Sequence, residues 1–172
     1  MILTFATKLD YVNKHYIARV PLEKSQELPS RGMVMIQGQL NNMDFQSPLE
    51  PDGKGSHWLD VDLALMKAGD LKVGQNLLLK IESMAQWTDP ILPHDLLVAL
   101  SEASLSSQWQ AITSKAKWSW LRWIRATKNP ETRAKRIYVA CSKLGNGDKR
   151  PCCFDQTRCT ITDVSKSGRL LD

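Results

Sequence analysis

Val34-Met35-Ile36-Gln37-Gly38-Gln39-Leu40-Asn41-Asn42-Met43-Asp44-Phe45-Gln46-Ser47-Pro48-Leu49 spells out a β-hairpin. Val34, Ile36 and Leu40 share one face of the first arm, and Met43, Phe45 and Leu49 continue on the return. Asn41-Asn42 between them can supply the two positive φ angles of a type I′ turn. Gly38 inside the first arm marks a bulge or a close backbone approach.

The same alternation extends outward in both directions. Leu3, Phe5 and Leu9 alternate with Thr4, Ala6 and Lys8; after a polar turn at residues 10–14, Tyr16, Ala18 and Val20 alternate with Ile17 and Arg19. Pro21 to Leu28 suits a short helical turn, with proline at its first position and Pro29 ending it. A fifth strand is predicted at His57 to Val61 and a turn of helix at Leu63 to Lys67. A sixth strand follows at Gln75 to Ser83, with Leu77, Leu79 and Ile81 on one side and Leu78, Lys80 and Glu82 on the other. Short strands with local turns and one apolar face each are best satisfied by a small closed antiparallel barrel of six or seven strands, because closure removes unpaired edges.

After Trp87-Thr88-Asp89-Pro90 the period changes to that of helices. Pro93 and Asp95 open one carrying Leu96, Leu97 and Leu100, and Leu105, Trp109 and Ile112 mark a second stretch. Asn129 is a good N-cap, with Pro130 at the first helical position, Glu131 in the first turn and Gly145 at the expected stop. The class is therefore α+β: a barrel over 1–88, a basic helical segment over 89–148, and an extended cysteine-containing tail over 149–172.

Charge follows this division. Residues 115–150 hold eleven basic side chains against Glu131 and Asp148, a net of +9, while residues 1–114 net −4. No apolar run approaches the roughly 18 residues of a membrane span. The opening Met1-Ile2-Leu3-Thr4-Phe5-Ala6-Thr7-Lys8 reads as a first strand and lacks the pattern of a secretion signal, so a cytoplasmic protein is expected. In that compartment Cys141, Cys152, Cys153 and Cys159 are expected as free thiols.

Gln39-Leu40-Asn41-Asn42-Met43-Asp44-Phe45, Leu49, Pro51-Asp52-Gly53, Gly55-Ser56-His57 and Leu71-Lys72-Val73-Gly74-Gln75 together resemble a small barrel domain of unknown function. That domain often precedes the YdeI/OmpD-associated, or bacteriocin-protection, segment. Pro93-His94-Asp95-Leu96 with Ala99-Leu100 is similar to the opening of that segment. Trp123-Ile124, Ala126, Lys128, Glu131-Thr132-Arg133 and Arg136-Ile137 are similar to its basic helical core. The resemblance covers roughly residues 2–148. It departs from the family pattern at Thr127 and Asn129-Pro130, where capping residues stand, and the cysteine tail has no counterpart in it. It implies a closed barrel followed by helices, and an association with envelope stress or resistance to antimicrobial peptides. It carries no catalytic residue.

On a helical wheel of residues 112–126, Ile112, Ala116, Trp120, Leu121, Trp123 and Ile124 form the core face, and Trp118 falls opposite, between Lys115, Arg122 and Arg125. A tryptophan among cations can stack a nucleobase while the cations neutralise phosphates; the plainer alternative is that it packs on a neighbouring element. Lys115, Trp118, Arg122, Arg125, Lys128 and Arg136 are therefore the candidate residues for an anionic partner, protein or nucleic acid. Arg133 is expected to tie its helix to a carboxylate of the acidic barrel.

The remaining constellations point to ordinary structural roles. Adjacent Cys152 and Cys153 should point apart, which argues against zinc. Gly53-Lys54-Gly55-Ser56 is followed by a strand and reads as a loop rather than a phosphate cradle. His15, His57 and His94 are scattered, and in a strand Ser56-His57 and Asp60 or Asp62 do not converge on a triad. No metal, cofactor or catalytic residue is assigned. The expected function is a non-enzymatic binding or stress-protection protein, with a nucleic-acid-binding module as the alternative.

Overall fold

A computed structural model describes residues 1–172. The chain forms two compact units: residues 1–86 with 156–159 and 163–172, and residues 87–155 with 160–162.

The first unit is built on a closed antiparallel barrel of β1 (Leu3–Val12), β2 (His15–Arg19), β3 (Val34–Leu40), β4 (Met43–Pro51), β5 (His57–Asp60) and β6 (Asn76–Ser83). They pair in the order β1-β2-β5-β4-β3-β6 and close back on β1. The short helices α1 (Leu22–Ser25) and α2 (Leu63–Ala68) lie in the connections. The hairpin forms as its letters require: Leu40 pairs with Met43, and Asn41 and Asn42 take φ of 46° and 67°. Asn13 and Lys14 make the same kind of turn between β1 and β2, at φ 43° and 73°. Period-2 burial follows along β6, where Leu77, Leu79 and Ile81 are buried and Leu78 is exposed.

Alternation fails at two strands. Ile17 and Trp58 are fully buried although their neighbours Ala18 and Leu59 fill the barrel interior. Residues 163–172 return to the barrel beside these strands. Asn13 donates to the Asp163 carbonyl at 2.9 Å, Arg19 to that of Leu171 at 2.8 Å, and Leu170 N–H to that of Asp52 at 2.8 Å. β7 (Ser165–Lys166) and β8 (Arg169–Leu170) form a small hairpin in this segment, with Val164 and Leu170 buried. A Cβ on Gly53 would lie 2.0 Å from the Gly168 carbonyl oxygen, which shows how closely the segment approaches. The residues expected as an extended tail thus divide between the two units.

The second unit holds α3 (His94–Glu102), α4 (Ser106–Ala111), α5 (Ser114–Ile124) and α6 (Pro130–Gly145). Leu96, Leu100, Leu105, Trp109, Trp120, Ile124, Ile137, Ala140 and Leu144 form its core. Asn129 caps α6 through Oδ1, which accepts from Glu131 N–H at 2.9 Å and Thr132 N–H at 3.2 Å. The helix includes Gly145, and the left-handed residue that stops it comes two positions later. Gly147 takes φ 91°, its N–H donates to the Leu144 carbonyl, and Asp148 N–H donates to that of Lys143, the paired bonds of a Schellman stop. Asn129→Ala removes two of the bonds that satisfy the first turn and is expected to lower stability by about 1 kcal/mol in urea unfolding, while Asn129→Asp keeps most of it.

Candidate functional site

α5 positions most of the candidate residues. The Thr113 hydroxyl opens it by accepting from Ala116 N–H at 3.1 Å, and the expected core face is buried at Ala116, Trp120, Leu121 and Ile124. Two cations on α5 are buried as well. Lys117 is 4% exposed; its Nζ lies 2.8 Å from Oδ2 of Asp89, whose other oxygen accepts from the Ser114 hydroxyl.

Arg122 is 2% exposed and its guanidinium lies over the Phe154 ring, 5.8 Å from the centroid. Its expected place on the exposed face is therefore corrected. Lys149, Phe154 and Thr160, all of the same unit, supply a second cover for α5: Trp120 Nε1 donates to the Lys149 carbonyl at 3.0 Å, Arg125 Nε to the Thr160 hydroxyl at 2.9 Å, and Phe154 covers Arg122. A helical wheel assumes one buried face, and α5 has two.

The other five candidates fall into two groups. At the N-terminal half of α5, Lys115 is exposed with Nζ 5.6 Å from the Trp87 ring centroid, and half-buried Trp118 donates its indole N–H to the Thr88 carbonyl at 2.8 Å. At the α5–α6 corner, Arg136 lies over the Trp123 ring at 5.5 Å and donates to the Trp123 carbonyl at 2.7 Å; Arg125 and exposed Lys128 belong to the same corner. Arg133 corrects a second expectation. Its partner is Asp95 at the start of α3, within the helical unit, through a fork of Nε–Oδ2 at 2.7 Å and Nη2–Oδ1 at 3.0 Å.

These pairs set the acid response of the helical unit. The hydrogen bond from Lys117, aided by that from Ser114, holds the Asp89 carboxyl below its ordinary value, and the hydrogen bond from Arg133 does the same for Asp95. Carboxylates lowered on folding contribute stability that is complete above the unfolded value of about 3.9 and is lost as pH falls through the lower folded values. Stability of this unit is thus expected to hold down to about pH 4 and to fall below it, with Asp95→Asn flattening part of the slope. Five of the six tryptophans lie in this unit, so their fluorescence follows the transition.

Elsewhere, buried His57 sits between Ser25 and a backbone carbonyl: Nδ1 is 2.7 Å from the Ser25 hydroxyl and Nε2 is 2.7 Å from the Gly32 oxygen. Arg31 donates to both oxygens of Ser25. This network pins the α1 connection to β5, and local sequence could not reveal it, since His57 and Ser25 are 32 residues apart. Ser56 donates instead to the Val20 carbonyl. The 51–56 loop has its Lys54 and Ser56 N–H groups taken by the Asp52 carboxylate, an arrangement that repels a phosphate. His15 faces Asp60 at Nδ1 and Asp163 at Nε2, opposite sides of the ring, which orders the turn and places no two of these groups on a common metal position. Cys152 and Cys153 do not point apart: their Sγ atoms are 2.8 Å from each other, both exposed. The left-handed φ of 57° at Cys153 turns its side chain back beside its neighbour's.

Divided by unit, the eleven basic and six acidic side chains of the helical unit net +5, and the barrel unit balances at twelve and twelve. No helix is long and apolar enough to cross a membrane. The family model described as bacteriocin-protection, YdeI or OmpD-associated matches residues 89–147, and a model of a domain of unknown function, DUF1905, matches residues 5–81. No curated protein matches the chain.

Proposed function

We propose, for a chain that belongs to the YdeI/OmpD-associated, bacteriocin-protection family and carries a DUF1905 barrel ahead of that domain, a non-enzymatic stress-protection role in the bacterial cytoplasm. In it, the helical unit binds an anionic partner. Lys115 and Trp118 form one part of the binding surface, and Arg125, Lys128 and Arg136 the other. The observation that carries this reading is that the chain's whole net charge of +5 resides in the helical unit, even though Lys117 and Arg133 already have carboxylate partners. Exposed Lys115, Lys128, Lys135, Lys149 and Arg150 remain to attract a polyanion. The buried Ser25–His57 pair favours the non-enzymatic reading, because both ring nitrogens are engaged and neither side chain reaches solvent.

Titration of the full chain with a short single-stranded oligonucleotide and, separately, with polyglutamate tests this. Binding that weakens steeply with salt is expected for at least one of them, and Lys115→Ala and Lys128→Ala should each reduce the salt slope by about one. Binding of the oligonucleotide alone identifies a nucleic-acid partner, and of polyglutamate alone an acidic protein. Absence of binding to either at ~50 mM salt would overturn the proposal.

A further inference from the structure

Cys152 and Cys153 form the one vicinal pair of thiols in the chain, and their placement differs from that of the other two cysteines. Cys141 is half-buried, with burial pushing its thiol up, and Cys159 is buried. The vicinal pair is exposed on both residues, and the turn at Cys153 brings Sγ to 2.8 Å from Sγ. We infer that Cys152 and Cys153 are a modification site, oxidised in place to a vicinal disulfide by a small-molecule disulfide of the glutathione type and readily reduced again.

The chemistry is two thiol–disulfide exchanges. One cysteine loses its proton to solvent and attacks a sulfur of the small disulfide; a mixed disulfide forms and one small thiolate leaves, taking up a proton. The second cysteine loses its proton and attacks its neighbour's sulfur, closing the Sγ–Sγ bond and expelling the second small thiolate, which is protonated in turn. Two protein thiols are oxidised and one small disulfide is reduced to two thiols. The second step needs no search, because the attacking sulfur already touches its target. The hydrogen bond with Cys152 pushes the Cys153 thiol up, as expected for a proton held between two sulfurs, while nearby Lys143 favours the thiolate.

Easy reversal follows from covalent geometry. Adjacent Cα atoms are about 3.8 Å apart across a trans peptide. Relaxed disulfides need about 4.4–6.8 Å, so the closed ring is strained and more reducible. Closure also reaches beyond the two sulfurs. Phe154, the next residue, lies over the Arg122 guanidinium, so the backbone change is made at the cover of α5.

Tryptic digestion makes the test clean, because residues 150–158 form one peptide holding both vicinal cysteines and neither Cys141 nor Cys159. After treatment of the full chain with oxidised glutathione and then iodoacetamide, this peptide is expected to lose two hydrogens and resist alkylation. Dithiothreitol should restore two alkylatable thiols. Cys153→Ser and Cys152→Ser, whose circular dichroism should match wild type, cannot close and should each retain one glutathione. Two glutathiones on the wild-type peptide, an unreacted peptide, or a disulfide from it to Cys141, Cys159 or another copy of the chain would overturn the inference.

Discussion

Trp120→Ala is expected to remove most of the stability of the helical unit. The side chain is fully buried among Leu96, Leu100, Ile124 and Ile137, and its ring meets that of Trp123 edge-on at 6.0 Å. Loss of the ring costs both transfer free energy and the cavity left behind, about 3–5 kcal/mol for a large aromatic. Whole domains are stable by only about 5–15 kcal/mol. The indole N–H adds a second consequence, since it holds the Lys149 carbonyl and with it the segment that covers Arg122. Trp120→Phe keeps most of the packing and loses that bond, whose acceptor on exposed Lys149 can turn to water, so its cost should be about 1 kcal/mol, that of an ordinary hydrogen bond. Urea unfolding followed by far-ultraviolet circular dichroism measures both; a loss below about 1 kcal/mol for the alanine variant would contradict the placement of Trp120 at the centre of the unit.

Gly38→Ala should damage the barrel as severely, for a different reason. A Cβ at this position would stand 2.0 Å from the Lys80 carbonyl oxygen and 2.8 Å from the Ile81 Cα, both backbone atoms of β6. No rotamer change relieves a clash with backbone, so the β3–β6 ladder, in which Gly38 faces Ile81, must open. A cost of about 3 kcal/mol or more is expected, at the upper end of overpacking effects. Melting should fall by at least about 10 °C. Gly55→Ala is the contrasting variant. Gly55 has φ 97°, but a methyl added there would meet no atom within 4 Å, so only the backbone strain of about 1 kcal/mol applies. Equal effects of the two would mean that β3 and β6 are not in close contact.

The barrel is legible in the sequence because its information is local. Asn41-Asn42 at a turn and Leu77, Leu79 and Ile81 two apart are patterns a reader can match to a period, and Gly38 stands out by being alone inside one. The caps of α6 are equally plain except at the stop, where Gly145 fits the pattern but Gly147 supplies the left-handed residue. Legibility fails where the information is distant. Nothing near Arg122 announces Phe154, 32 positions later, and a lone arginine on a helix is ordinarily outward. The candidate surface loses Arg122 and divides into two groups for that reason. Segment totals point Arg133 toward the barrel, whereas Asp95, one of six acids in the helical unit, satisfies it. Adjacent cysteines alternate only in an extended chain, and a left-handed φ is not readable from the letters.

Because the barrel unit is completed by residues from the far end of the chain, the order of synthesis differs from the order of assembly. All six strands have been made by Ser83, but Val164 and Leu170, buried in the same unit, emerge after the entire helical unit. At about 5–20 residues per second, the interval is roughly 4–17 s. During it the nascent barrel lacks the hydrogen bonds that residues 163–172 make to Asn13, Arg19 and Asp52, whereas the helices can finish first. Premature termination within residues 163–172 should therefore injure the barrel, whose strands are translated earlier, and the ribosome is the place to look for its binding by a chaperone.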